Sequence, residues 1–230
     1  MSFIEIIISL IFIMIITSII LTFQFLNDKL NKIKLVSEIS DIKKSLLIFN
    51  QIYNFMPGDY PYAKKTLSSN YNGNGDNIID DNYESLFVFE HMQKSNLLGK
   101  QNFHYKYSSY AKINYNMLGS IYSKCGYQIF TDSKLNNINY NLREKSYYIR
   151  IANDKKKGNL TIPCANNYIA KYIDAKLDDA KPLEGNFLAD DKYAIGLSKK
   201  DKCICEEKEN IVNYCIFNYN ENCIMQLKIF

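Results

Sequence analysis

The hydrophobic pattern of this chain changes near residue 27, and no helix breaker marks the change. From Phe3 to Leu26 the residues are apolar in every direction around a helix axis, and Glu5 is the one charge before Asp28. The uncharged stretch from Ile6 to Phe23 has the length of a bilayer-crossing helix. Further on, apolar residues recur every third or fourth position, at Leu30, Ile33, Val36, Ile39, Ile42, Leu46, Phe49 and Tyr53. Lys32, Lys34, Glu38, Asp41, Lys43 and Lys44 lie between them, which is the stripe of an amphipathic helix. The first breaker is Met56-Pro57-Gly58-Asp59. One continuous helix of roughly 50 residues, about 75–80 Å long, is predicted over residues 1–55. Its first half, 3–26, packs in lipid or among other helices, and its second half lies on a globular domain.

That domain, 56–230, is one unit of about 175 residues with no internal repeat. Residues 58–80 read as loop. Glu84 to Leu98 reads as a helix with Gly99 as its stop. Short strands are predicted at Ile113–Met117, Tyr127–Thr131 and Tyr147–Ile151. A helix follows Pro163 and runs to about Leu177, and the tail gives strands at Tyr193–Leu197, Val212–Phe217 and Ile224–Phe230. The fold class is α+β, a long N-terminal helix packed on a C-terminal antiparallel sheet.

An ionisable group inside an apolar segment of membrane length points to function. Glu5 lies about 6 Å from the chain start, so it can also snorkel to the interface or pair with its own α-amine. An all-apolar helix has a second use, as the core of a helical polymer in which neighbouring helices replace lipid. A carboxylate there must find a positive partner or lose its charge. The α-amine of Met1 in a neighbouring chain is the candidate partner, and the pair would fix the axial register. On this expectation Glu5→Ala impairs assembly.

The opening Met1-Ser2-Phe3-Ile4-Glu5 and its apolar run, over the first 25 residues or so, resemble the mature start of type IV pilins and type II secretion pseudopilins. A further similarity to prepilin-type proteins runs through Met56-Pro57-Gly58-Asp59, Gly73-Asn74-Gly75-Asp76, Glu84 to Gly99 and Ile173 to Asp179. Thr22 stands where many members carry a helix-bending proline. The resemblance implies a pilin-like fold, with Met1 as the first mature residue, methylated after a prepilin peptidase removes a short basic leader. It implies a single-pass protein of the bacterial inner membrane, its globular domain in the periplasm and later on a filament or surface. The implied partners are other pilin or pseudopilin subunits, the prepilin peptidase, an inner-membrane assembly platform and membrane lipid. The implied role is structural, without enzymatic activity.

Lys29, Lys32 and Lys34 follow the apolar segment and no basic residue precedes it. By the charge rule this alone would hold the domain in the cytoplasm. The cysteines point to the opposite side, and a basic leader ahead of Met1 reconciles the two. The six cysteines, Cys125, Cys164, Cys203, Cys205, Cys215 and Cys223, are candidates for up to three disulfides. Cys215 and Cys223 flank a turn-like Tyr219-Asn220-Glu221-Asn222 and are placed to face each other, while Cys203 and Cys205 share one strand face. Free buried thiols and metal binding are the alternatives. The metal reading has only His91 and His104 as imidazole ligands, and Cys-x-Cys fits zinc spacing poorly.

Asn72-Gly73-Asn74-Gly75-Asp76-Asn77-Ile78-Ile79-Asp80 is the ligand-like motif of the chain. Calcium loops place oxygen ligands at positions 1, 3 and 5, a left-handed turn at 6 and an apolar residue at 8. Asn72, Asn74, Asp76, Asn77 and Ile79 occupy those positions, with Asp80 and Glu84 as further oxygen donors. Tyr83 stands at position 12, where an acid is usual, so a calcium site here would be weak. The alternative is a polar turn leading into the next helix. Asp174, Asp178 and Asp179 read as solvated helix charges, with acid–base or metal chemistry as the alternative. His91 sits amid aromatic neighbours, which favours packing over catalysis. A net charge of +4 without a dense basic patch argues against nucleic acid as a partner, although Tyr105, Tyr107 and Tyr110 keep in view, as the alternative to an assembly subunit, an anchored minor-pilin-like module that binds DNA or a surface. An anchored enzyme is the third class, and no phosphate cradle or nucleophile–histidine spacing supports it.

Overall fold

The computed structural model describes residues 3–81, 83–98, 103–122, 124–131, 146–154, 158–190, 203–206, 212–215 and 223–229. Helix α1 runs from Phe3 to Tyr53 as one piece of 51 residues. Thr22 leaves it unbroken. Its hydroxyl donates back to the Ser18 and Ile19 carbonyls, as Thr17 does to Ile13 and Met14, so both polar groups are satisfied inside an apolar helix. Asn54, at a left-handed φ of 56°, ends the helix.

The side chains of α1 that enter the core are Leu35, Ile39, Ile42, Leu46 and Phe49. Leu30 and Ile33, on the predicted stripe, stay 44% and 49% exposed. Helix α1 therefore meets the core about one turn further along than the sequence pattern suggested.

The sheet opposite α1 has five antiparallel strands in the order β1-β2-β3-β7-β4: Leu118–Gly119, Gly126–Thr131, Tyr147–Ala152, Ile224–Lys228 and Phe187–Asp190. Register explains the sequence. Tyr127, Ile151, Met225 and Ala189 form one cross-strand row, and Ile129, Ile149, Leu227 and Phe187 form the next. Both rows belong to the core shared with α1. One residue out of phase, the other face carries the row Gln128, Arg150, Gln226 and Leu188. Its polar members Gln128, Arg150 and Gln226 are buried too. The Gln128 side chain accepts from Leu160 N–H at 2.9 Å and donates to Asn159 and Ser85. The Arg150 guanidinium lies 3.9 Å from the Phe130 ring centre and pairs with Asp81 at 3.4 Å. Period-two alternation thus holds in the packing, while the polarity contrast that would betray it in the sequence is missing.

Helix α2 is a single turn, Ala63–Thr66, inside the loop region. The helix expected over 84–98 is a 3-10 turn at Glu84–Phe87 leading into α3, Val88–Lys94. It ends early because Asn96 takes a left-handed φ of 59° and Leu97 N–H donates to the Met92 carbonyl. The expected stop, Gly99, lies outside the described residues. Residues 113–117 are not a strand. Asn116 folds them into a turn, its side chain accepting from Lys112 N–H and donating to the Ser108 and Tyr110 carbonyls. Helix α4, Asn167–Leu177, begins three residues later than Pro163 suggested, where the Asn166 side chain accepts from Ile169 N–H. The strand expected at 193–197 lies outside the described residues. A separate ribbon pairs β5, Ile204–Glu206, with β6, Val212–Tyr214.

All six cysteines are paired, as Cys125–Cys164, Cys203–Cys223 and Cys205–Cys215. The Cys215–Cys223 juxtaposition is corrected. Cys215 N–H bonds the Cys203 carbonyl across the β5–β6 ribbon, so Cys215 is in reach of Cys205, while Cys203 ties the ribbon to the start of β7. Disulfides replace the thiol and metal alternatives.

Candidate functional site

Two features carry chemistry. The first is the apolar half of α1. It is long and apolar enough to cross a membrane, and none of that span is buried by the rest of the chain. Phe3, Phe12, Met14, Phe23 and Phe25 are each more than 60% exposed. Glu5 lies on this exposed half. Met1, the expected processed residue, lies outside the described residues. A second glutamate fastens the other half of α1 to the sheet domain. Glu38 accepts from Tyr127 Oη at 2.7 Å, from Ser120 Oγ at 3.0 Å and from Ile121 N–H at 3.1 Å. The helix is thus locked to β2 and to the loop before it. Burial, reinforced by the Glu38 charge, holds the Tyr127 phenol well above its ordinary pKa, so it stays a neutral donor.

The second feature is the acidic loop. Oxygens of Asp59, Asp76 and Glu84 lie within 4.8 Å of one another. Asp59 is the centre, and the calcium-loop reading missed it. It is fully buried and accepts from the N–H groups of Gly75 at 2.7 Å, Asp76 at 3.1 Å and Asn77 at 3.0 Å. Gly73 permits this approach, since a Cβ there would overlap the Asp59 backbone. Asn77 takes the expected left-handed turn, φ 62°. Glu84 accepts from Asn74 N–H at 2.9 Å and Asp80 N–H at 3.3 Å. Ile79 is buried as expected, and its N–H donates to Thr131 Oγ1 at the end of β2.

Of the five predicted ligands, Asn74, Asp76 and Glu84 are brought together. Asn72 turns its side-chain oxygen to Lys64 N–H, and Asp80 is exposed and enters through its backbone. Asp59, Asp76 and Glu84 are therefore the carboxylates of this loop that could hold a cation, with Asn74, which bonds Asp76, beside them, and among the described residues Asp174, Asp178 and Asp179 form a second such group. Burial, aided by the charges of Asp59 and Asp76, pushes the Glu84 carboxyl up to about 7 against the pull of its two N–H donors. Burial likewise raises Asp59. The Pro57-Gly58 turn beside Asp59 offered a signal for it, an acid directly after a turn that returns the chain onto a loop rich in N–H donors.

His91 is a packing residue, as expected. Its Nδ1 accepts from Gly58 N–H at 2.9 Å, which leaves Nε2 as the donor to the Tyr71 carbonyl at 3.1 Å. Burial lowers its pKa to about 4, so it stays neutral. Asp174 departs from its reading as a solvated charge. It is fully buried, accepting from Tyr214 Oη at 2.7 Å and Ala180 N–H at 3.1 Å, and burial raises its pKa to about 6. Asp178 lies just past the end of α4 and accepts from the N–H groups of Asn186 and Phe187. Its partners are backbone groups that stitch α4 to β4.

The architecture is a helix of which half belongs to a sheet domain and half does not. Comparison with protein-family models, with characterised proteins and with solved structures yields no match.

Proposed function

We propose that this chain is a structural assembly subunit of the type IV pilin or type II secretion pseudopilin kind. In this reading the apolar half of α1 holds the subunit in the membrane and then becomes the core of a filament. The observation that carries the proposal is that Phe3–Leu26, with Glu5 near its start, is continuous with the helix that organises the sheet domain and is covered by none of it. So large an apolar surface requires lipid or other helices. The mechanism is mechanical. Subunits leave the bilayer one at a time, each exchanging lipid for neighbouring helices, and the growing fibre extends or pushes cargo.

Glu5 supplies the register. Among packed apolar helices a neighbour's α-amine lying opposite this carboxylate would favour one axial offset over the others. Processing before Met1 by a prepilin peptidase would free that amine. The test is Glu5→Ala in native cells, with polymer recovered from the cell surface or periplasm. At least a tenfold loss of polymer is expected, with subunit abundance unchanged. Equal polymer from both chains would remove the reading. Mass analysis of the N-terminal peptide then reads the processing step, for which a methylated Met1 is expected.

A further inference from the structure

The foot of the sheet domain, where α4 meets the lower turns of α1, combines charge and aromatic rings in one place. The Lys32 ammonium lies 5.9 Å from the centre of the Tyr172 ring, and the Lys176 ammonium lies 5.9 Å from the same ring. Tyr172 is half-buried, while Lys171, Lys176 and Tyr168 are exposed on α4. On α1, Lys29 is exposed one turn before Lys32, and Lys34 is exposed at the same level on the other flank of the helix. Lys32 is six residues past Leu26, about 9 Å along the axis, so the domain reaches down to within a headgroup's depth of the apolar span. Five lysines stand at this foot, Lys29, Lys32 and Lys34 on α1 and Lys171 and Lys176 on α4, against Asp28 on α1 and Asp178 and Asp179 at the end of α4. Asp174 is turned into the domain toward Tyr214 and does not offset them.

We propose that this foot of the domain, carrying Lys29, Lys32, Lys34, Lys171, Lys176 and the rings of Tyr168 and Tyr172 at one level round α1, docks on anionic phospholipid headgroups. The inference rests on the reading of Phe3–Leu26 as a membrane anchor. Lysines at this depth extend their ammonium groups toward phosphate while their stems lie along apolar surface, and tyrosine rings favour the same layer. Each lysine close to an anionic surface strengthens attachment roughly fivefold. Docking would make α4 a second membrane contact besides the anchor. The subunit would then sit upright with its foot on the bilayer, and leaving the membrane would require release of these contacts as well as of the span. The occupant is lipid rather than a second copy because the face is continuous with the span and its lysine excess matches phosphate.

The test reconstitutes the full chain into vesicles of neutral phosphatidylcholine alone, or with 30% phosphatidylglycerol. An amine-acetylating reagent that does not cross the bilayer then modifies exposed lysines, which mass spectrometry quantifies. Lys64 and Lys65 on α2 serve as the internal reference, because α2 packs near Phe49, some 35 Å from the end of the span. Lys171 and Lys176 should be acetylated about fivefold more slowly in anionic vesicles, with protection lost in 0.5 M salt. Acetylation of Lys171 and Lys176 as fast as that of Lys64 and Lys65 in both vesicles, with the chain floating in both, would overturn the docking face and leave the anchor intact. Protection that is equally strong in both vesicle types would assign the face to a neighbouring copy and overturn the lipid proposal. A chain that floats with neither vesicle would remove the anchor and the docking face together. The Lys171→Gln, Lys176→Gln chain, altered only at exposed positions, should lower the protection of Lys29 and Lys34 without moving Tm.

Discussion

Phe3–Leu26 and Lys29–Tyr53 are halves of one unbroken helix, built from similar apolar residues, with opposite surroundings. The second half sends five side chains into the core and bonds Glu38 to the sheet domain. Those five account for about 10 kcal/mol of burial. The first half touches nothing that would bury it. The difference lies in pattern rather than hydrophobicity. A one-sided stripe with lysines between the apolar positions tells a helix to lie on a domain, and apolar residues all round tell it to find a non-aqueous solvent. Placing an acid in each half shows the same contrast. Glu38 is held by three groups of the sheet domain, while Glu5 lies on the half of the helix that the sheet domain does not cover.

Matched substitutions break the comparison most sharply. Ile39→Asp should cost the sheet domain about 4 kcal/mol or more, because it buries an unpaired charge at a fully buried position. Ile15→Asp should leave the domain's thermal unfolding unchanged and instead weaken membrane association. Calorimetry and vesicle flotation on both chains separate the effects, and an equal loss of Tm would refute the division. Removing the Cys125–Cys164 link by paired Ala substitution should cost about 3–4 kcal/mol, since it closes a loop of 39 residues. Denaturant unfolding reads this directly. Glu38→Ala should cost about 2 kcal/mol by releasing three bonds to the sheet domain, and a Tm within 1 °C of the parent would show that packing alone joins helix and sheet.

Much of this division was legible in the sequence because both halves obey a period. The 51-residue helix, β2, β3, β7 and the span follow from spacing and the absence of breakers. What failed to show has a common cause. Gln128, Arg150 and Gln226 are buried on the second sheet face by partners far along the chain, so polarity misreports their position. Asp59 and Asp174 were missed for the same reason. Their acceptor oxygens are satisfied by backbone N–H groups and a tyrosine that only the fold delivers. Ends were set by single left-handed asparagines, Asn54 and Asn96, where glycine or proline was the expected mark. Cysteine pairing was open because a hairpin turn is only one of the ways to bring two cysteines together.

Smaller effects come from the acids. Glu84 is raised to about 7 and Asp174 to about 6, so the folded chain holds these protons more tightly than the unfolded chain does. The contribution of these two groups to stability is therefore full below about pH 4 and falls as pH rises, up to about 6 for Asp174 and about 7 for Glu84. About 1–2 kcal/mol is expected for each after solvent screening. Thermal unfolding between pH 4 and 8 checks the sign. A cation at Asp59, Asp76 and Glu84 would favour the ionised loop and reverse part of the loss. With 10 mM calcium and a weak site, about 1.4 kcal/mol, or roughly 3 °C in Tm, is expected at pH 8 and almost none at pH 5. An unchanged Tm at pH 8 would make the loop a self-contained turn held by its own N–H groups.

In the proposed function the first half of α1 serves partners and the second half serves the fold. The most direct measurement compares residues 27–230 with the full chain by calorimetry and sedimentation. The shortened chain should unfold cooperatively at the Tm of the full chain and sediment as a monomer, while the full chain requires detergent or vesicles to stay dispersed. A shortened chain that cannot fold, or a full chain that is monomeric in plain buffer, would contradict it.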